Sequence, residues 1–121
     1  MELIGKDEEL IDAFSKRLNI LSGQLQKVSI YSSNYILCID LDITLQYPEE
    51  KNCVLRFIDI QEYSFYHNSD HYFYNIERFK FFKNGDFFYI SLDPYDEGSN
   101  VDENDQDFIV CRGVEGYFFA R

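Results

Sequence analysis

The sequence predicts an α+β fold, with an N-terminal helix packed on a mainly antiparallel sheet of about six strands that has scope to curve strongly. Three observations carry this expectation. Apolar residues recur at helical spacing only near the N-terminus. From residue 24 onward the apolar period is close to two. Asn84-Gly85, a preferred hairpin-turn dipeptide, separates two alternating aromatic runs. At 121 residues the chain has the length of one domain, residues 1–121, and can bury a core without disulfide or metal staples.

Leu10, Ile11, Phe14, Leu18 and Leu21 form one apolar helical stripe. Asp7 is placed to cap this helix, and Glu8 and Glu9 suit the positive end of its dipole. Asp12 and Lys16 are spaced as an i,i+4 pair, and Gly23 is placed as a stop. A first strand is expected over residues 24–31, followed by a turn at Ser32-Ser33-Asn34. From Tyr35 to Tyr47 every odd position is apolar or aromatic. Asp40, Asp42, Thr44 and Gln46 give the other face a wet, acidic character. Residues 53–60 are apolar on both faces, as a central strand would be. The pattern blurs over residues 61–74.

If Asn84-Gly85 forms a type I′ turn, Lys83 faces Asp86, Phe82 faces Phe87 and Phe81 faces Phe88. Phe79, Phe81, Phe88, Ile90 and Leu92 then share the core face. Arg78, Lys80, Phe82, Phe87 and Tyr89 share the other, a second candidate interface that another element or a protein partner would cover. Residues 93–107 hold seven acids and no base, with Pro94 and Gly98 opposing a regular strand. They read as a long loop, a type of segment that in small domains is often functional. A last strand over residues 108–112 and an apolar tail over 114–120 complete the chain.

The 22 acidic residues outnumber the 11 basic ones, for a formal charge of −11. That balance repels phosphate backbones and anionic membrane surfaces, so neither nucleic acid nor membrane is expected as a partner. It suits a basic protein, since opposite charge accelerates association. Cys38, Cys53 and Cys111 are odd in number, lie in apolar runs and form no C-x-x-C, as reduced thiols would. The charged N-terminus does not read as a signal peptide, and a cytoplasmic location is expected.

The sequence contains no phosphate-binding glycine loop, G-x-S-x-G or H-E-x-x-H motif. Its two histidines, His67 and His71, lie near Asp70. In a strand, residues four apart sit about 13 Å from one another, so this pair is not expected to hold a metal. Counted from Asp93, an EF-hand reading puts Gly98 at position 6 but Tyr95 at position 3 and Asn104 at position 12, which rejects it. No enzyme activity, metal or cofactor is expected. The partner-binding residues expected are Asp93, Tyr95, Asp96, Glu97, Asp102, Glu103, Asp105 and Asp107 of the acidic loop, joined by Asp40 and Asp42. Aromatic hairpin edges could alternatively pair two copies into a homodimer, and an aromatic sheet could enclose a small ligand.

The segments LIGKDEELIDAF, VLRFIDIQEYSF and YISLDPYDEGS followed by DQDFIV span most of the chain. With Phe57, Asp59, Ile60 and Tyr63 they resemble the small α+β immunity proteins of bacterial polymorphic-toxin systems, in particular the family of immunity protein fifty. The resemblance implies a protein that binds and blocks a cognate toxin domain. An acidic chain suits a basic, nuclease-type toxin, whose phosphate-holding groove carboxylates can occupy.

Overall fold

The computed structural model describes residues 1–120. Seven strands form one antiparallel sheet that does not close on itself, joined by one short helix. The elements in chain order are β1 (Glu2–Lys6), α1 (Glu8–Lys16), β2 (Gln24–Ser33), β3 (Ile36–Leu45), β4 (Lys51–Ser64), β5 (Lys80–Asn84), β6 (Phe87–Asp93) and β7 (Gln106–Phe119). The spatial order is β2-β3-β4-β7-β6-β5, with β1 also on β7. β4 lies between β3 and β7 over residues 52–58, with Cys53, Leu55 and Phe57 buried on one face and Arg56 half-buried on the other.

β7 is one continuous strand where sequence patterning suggested a strand and a separate tail. Its opposite edge is shared: β6 pairs with Gln106–Cys111 and β1 with Glu115–Phe118. Asp7 sits at the junction. Its N–H donates to the Val114 carbonyl at 2.7 Å, and its Oδ1 accepts from the Val114 N–H at 3.0 Å. With φ at 52° its side chain turns to β7 and makes no helix-capping bond. The expected cap is therefore a clamp between strand and helix.

The helix ends at Lys16, earlier than the apolar stripe suggested. Asn19 Oδ1 accepts the Leu21 N–H at 2.9 Å, a local bond that competes with helical pairing. Ile20 then enters the core and is 1% exposed. Leu10 and Phe14 are buried with Ile39, Leu41, Ile43, Leu55, Phe57, Ile90 and Ile109 in one cluster on the helix-bearing face. Gly116 permits this contact, since a Cβ there would lie 2.6 Å from Leu10 Cδ1.

Both hairpins turn one residue away from the positions expected. β2 and β3 meet at Ser33 and Ile36, and Asn34 and Tyr35 both have positive φ, the signature of a type I′ turn. β5 and β6 meet at Asn84 and Phe87. Their loop is Gly85-Asp86, and only Gly85 has positive φ, as at the first central position of a type II′ turn. Phe81 therefore faces Ile90 and Phe82 faces Tyr89. The shift preserves parity, so the core face keeps the expected residues: Phe88, Ile90 and Leu92 are buried, with Phe79 and Phe81 packed against them.

Candidate functional site

The expected 93–107 loop is shorter at both ends, because Asp93 closes β6 and β7 opens at Gln106; residues 94–105 fold back over the outer face of the β5–β6 hairpin and are held there from beneath. Asp105 is buried, and its carboxylate accepts both Lys80 Nζ contacts at 3.0 Å, the Tyr89 hydroxyl at 2.6 Å, the Tyr95 N–H at 2.8 Å and the Asp102 N–H at 3.1 Å. Lys80 Nζ also donates to the Asn100 carbonyl at 2.8 Å and meets Asp96 at 2.9 Å. Burial alone would discharge both partners of the Lys80–Asp105 pair. For Asp105 the Tyr89 hydroxyl, the backbone N–H groups and Lys80 prevail and hold its pKa below the usual value. For Lys80 the two carboxylates prevail and hold its pKa above the usual value. Burial, followed by the Asp105 bond, raises the pKa of Tyr89.

This arrangement divides the expected loop residues into two groups. Asp105 and Asp107 are buried and act as interior anchors, Asp107 bordering a cleft. Tyr95, Asp96, Glu97 and Glu103 are exposed, while Asp93 and Asp102 are half-buried. Lys80 lowers the pKa of Asp96, with a contribution from the Gly98 N–H. Asp102 Oδ1 accepts the Asn104 N–H at 2.8 Å, tightening the loop tip.

The wet face of β3 forms a cross-strand ladder. Asp40 accepts a two-pronged contact from Arg56, at 3.0 and 3.1 Å, and the Tyr31 hydroxyl at 2.9 Å. Arg56 also meets Glu115 of β7 at 3.8 Å. Burial, then Asp40, pushes the Tyr31 phenol up to about 12. Asp42, the next acid on this face, is half-buried and lies between Lys27 and Val54 in register. Asp40 therefore ties strands together and does not stand as an open carboxylate beside the loop.

The second candidate interface is largely covered by the acidic loop. Lys80 and Tyr89 are buried, and the Tyr89 ring stacks on Phe108 with centroids 6.0 Å apart. Arg78 reaches the Tyr95 carbonyl at 3.4 Å. Phe82 and Phe87 remain half-buried, the latter beneath the Arg112 guanidinium. One of the two cations on this face is thus internal, which removes it from any basic-aromatic platform.

A polar cleft lies on the far side of Asp107. His71 Nε2 is 3.2 Å from Asp107 Oδ2, while Asp107 Oδ1 accepts the Tyr66 N–H at 2.8 Å. One ligand-type atom each from His71, Asp93 and Asp107 lies within 4.8 Å of the others. The cleft beside them measures about 210 Å³ and is bounded by Asp70, Asn75, Glu77 and Arg78 among others. Sequence reasoning paired His71 with His67 and Asp70; the fold instead brings it to acids 22 and 36 residues away. No local motif marks this grouping, because His71 is in an irregular segment and Asp107, the second residue of β7, has a positive φ of 51°.

The three cysteines are free and buried. Burial pushes the thiols of Cys53 and Cys111 up to about 12 and disfavours thiolate chemistry at both. Among the described residues no helix is long and apolar enough to cross a membrane. No protein-family model, curated protein or solved structure matches the chain.

Proposed function

We propose that this chain is a non-catalytic protein-binding domain that engages a basic partner through the exposed part of the 94–105 loop. Within that class we read it as an immunity protein that neutralises a cognate, nuclease-type bacterial toxin. The observation that carries the reading is the anchoring of an acidic loop by the Lys80–Asp105 pair, with Asp96, Glu97 and Glu103 left facing solvent. A loop ordered before binding loses less entropy on association, and its fixed carboxylates present a negative field to an approaching partner. The formal charge of −11 extends that field over the molecule. The resemblance to immunity proteins supplies the finer class.

The test is co-expression with the toxin domain encoded beside it. The reading requires a stable complex and rescue of cells that produce the toxin; absence of both rejects it. Within a complex, D96N/E97Q/E103Q should slow association and flatten its salt dependence.

A second reading, self-association, draws on a different edge. Among the described residues only a bridge from Gln24 to Asn75 lies on the outer side of β2, and Ile30, Tyr35, Ile36 and Leu37 are exposed near its hairpin tip. Such an edge can pair with a second copy. Light scattering separates the readings: a concentration-independent monomer removes this one, while a dimer lost on Ile30→Lys supports it.

A further inference from the structure

We propose that His71, Asp93 and Asp107 bind a divalent first-row transition metal ion such as zinc, with an open coordination position facing the adjacent cleft. This inference is independent of the acidic loop's partner and uses different side-chain atoms.

The donor set is one imidazole and two carboxylates; zinc accepts both ligand types, and the imidazole favours first-row transition ions over magnesium and calcium. Donors sharing a tetrahedral zinc at about 2.0–2.1 Å lie about 3.3 Å apart. The 3.2 Å between His71 Nε2 and Asp107 Oδ2 matches that spacing. All three donor atoms fall within 4.8 Å of one another, with Asp93 at the half-buried end of β6.

Charge points the same way. Neither Asp93 nor Asp107 forms an ion pair with a lysine or arginine among the described residues; the only ion pair of Asp107 is with His71. Asp107 is 3% exposed, so its carboxylate is little screened by water. Two carboxylates facing one imidazole leave a negative site that a divalent cation balances. The third element is space, since the cleft of about 210 Å³ reaches these residues and has room for several waters or a small anionic ligand on the metal.

The support is also built in. The Tyr66 N–H bond to Asp107 Oδ1 leaves Oδ2 toward His71. The rings of Tyr66 and Phe73 lie 6.2 and 6.3 Å from that of His71 and restrict its orientation. Outer contacts of this kind orient ligands in metal sites.

The experiment is isothermal titration of the full chain, first freed of metal by chelator, with zinc chloride, and separately with cobalt chloride read by visible absorption. One ion should bind per chain. His71→Gln and Asp93→Asn should each weaken zinc binding by about tenfold or more, the scale seen even for outer contacts of metal sites. They should also abolish the cobalt d–d bands. D96N/E97Q/E103Q, which discharges the exposed loop, should leave zinc affinity within about twofold of the parent. Zinc binding that survives both His71→Gln and Asp93→Asn, or that disappears in the loop variant alone, overturns the proposal, as does a parent chain that binds no zinc. Circular dichroism of each variant establishes folding, and Asp107 is left intact because it also holds the Tyr66 backbone.

Discussion

Lys80 and Asp105 form an ion pair at 3.0 Å with side chains 1% and 0% exposed, beneath a loop that exposes Asp96, Glu97 and Glu103. The pair joins β5 to the loop across 25 residues. Its members differ in what they leave behind when removed. Asp105→Ala strands the Tyr89 hydroxyl and two backbone N–H groups and leaves Lys80 with Asp96 and the Asn100 carbonyl. Breaking a buried pair in this way costs about 3–5 kcal/mol. Lys80→Met leaves the carboxylate with three donors and should cost less, about 2 kcal/mol, the scale of a hydrogen bond to a charged group. Urea unfolding of both variants measures the order; equal losses would show that the hydroxyl and N–H bonds contribute little.

The same cluster sets a pH dependence at both ends of the scale. The pKa of Asp105 is lowered in the folded chain. As pH falls, the unfolded chain takes up its proton first, so stability present above about pH 4 is lost as pH drops through the folded value. Lys80 and Tyr89 are raised. Their contribution is complete below about pH 10 and is lost as pH rises through their folded values, because the unfolded chain releases those protons first. Urea midpoints measured across pH should fall at both extremes, and Lys80→Met should make both limbs shallower. Unchanged limbs in that variant would remove the cluster as their source.

How much of this was legible in the sequence depends on the distance between partners. The alternation that defines β3 and the faces of the β5–β6 hairpin are local properties, and Ile39, Leu41, Ile43, Phe88, Ile90 and Leu92 are buried as the pattern requires. The hairpin register moved because Gly85 took the first loop position in place of Asn84. β1 leaves no mark in the sequence pattern because it is five residues long, mostly exposed and paired with residues 115–118. The acids of the loop were visible as a run, but nothing in the run separates Asp105, turned inward to Lys80, from Glu103, turned outward. That distinction depends on a lysine 25 residues away, as the His71 grouping depends on Asp107 36 residues away.

Gly116 offers a test of how the helix sits on the sheet. A methyl group there meets Leu10 Cδ1 at 2.6 Å and Leu55 Cδ2 at 3.2 Å, closer than packed carbons tolerate. Gly116→Ala should destabilise the chain by about 1–3 kcal/mol through overpacking. Leu10→Ala alone should cost about 2–5 kcal/mol through the cavity it opens. Together they should cost less than the sum, because the new methyl partly fills the space Leu10 vacates. Strict additivity in a denaturant double-mutant cycle would mean that the helix shifts away from the sheet.

The division between anchoring and exposed acids predicts opposite behaviour from two sets of substitutions. Asp40 holds Arg56 and Tyr31 in a partly exposed ladder, so Asp40→Asn should lower stability by about 1 kcal/mol, discounted for solvent screening. It should leave association with a basic partner nearly unchanged, since its charge is already matched by Arg56 at 3.0 Å. D96N/E97Q/E103Q removes three negative charges from exposed positions. Glu97→Gln with Glu103→Gln should leave the unfolding free energy within about 0.5 kcal/mol of the parent, while adding Asp96→Asn also takes one carboxylate from buried Lys80 and should lower stability further. The triple variant should slow association at low salt and reduce the difference between low and high salt. Stopped-flow binding at two ionic strengths, run beside urea unfolding, measures both quantities. If Asp40→Asn slows association as much as the loop variant does, the ladder face is the docking surface and the loop is a solvated connection.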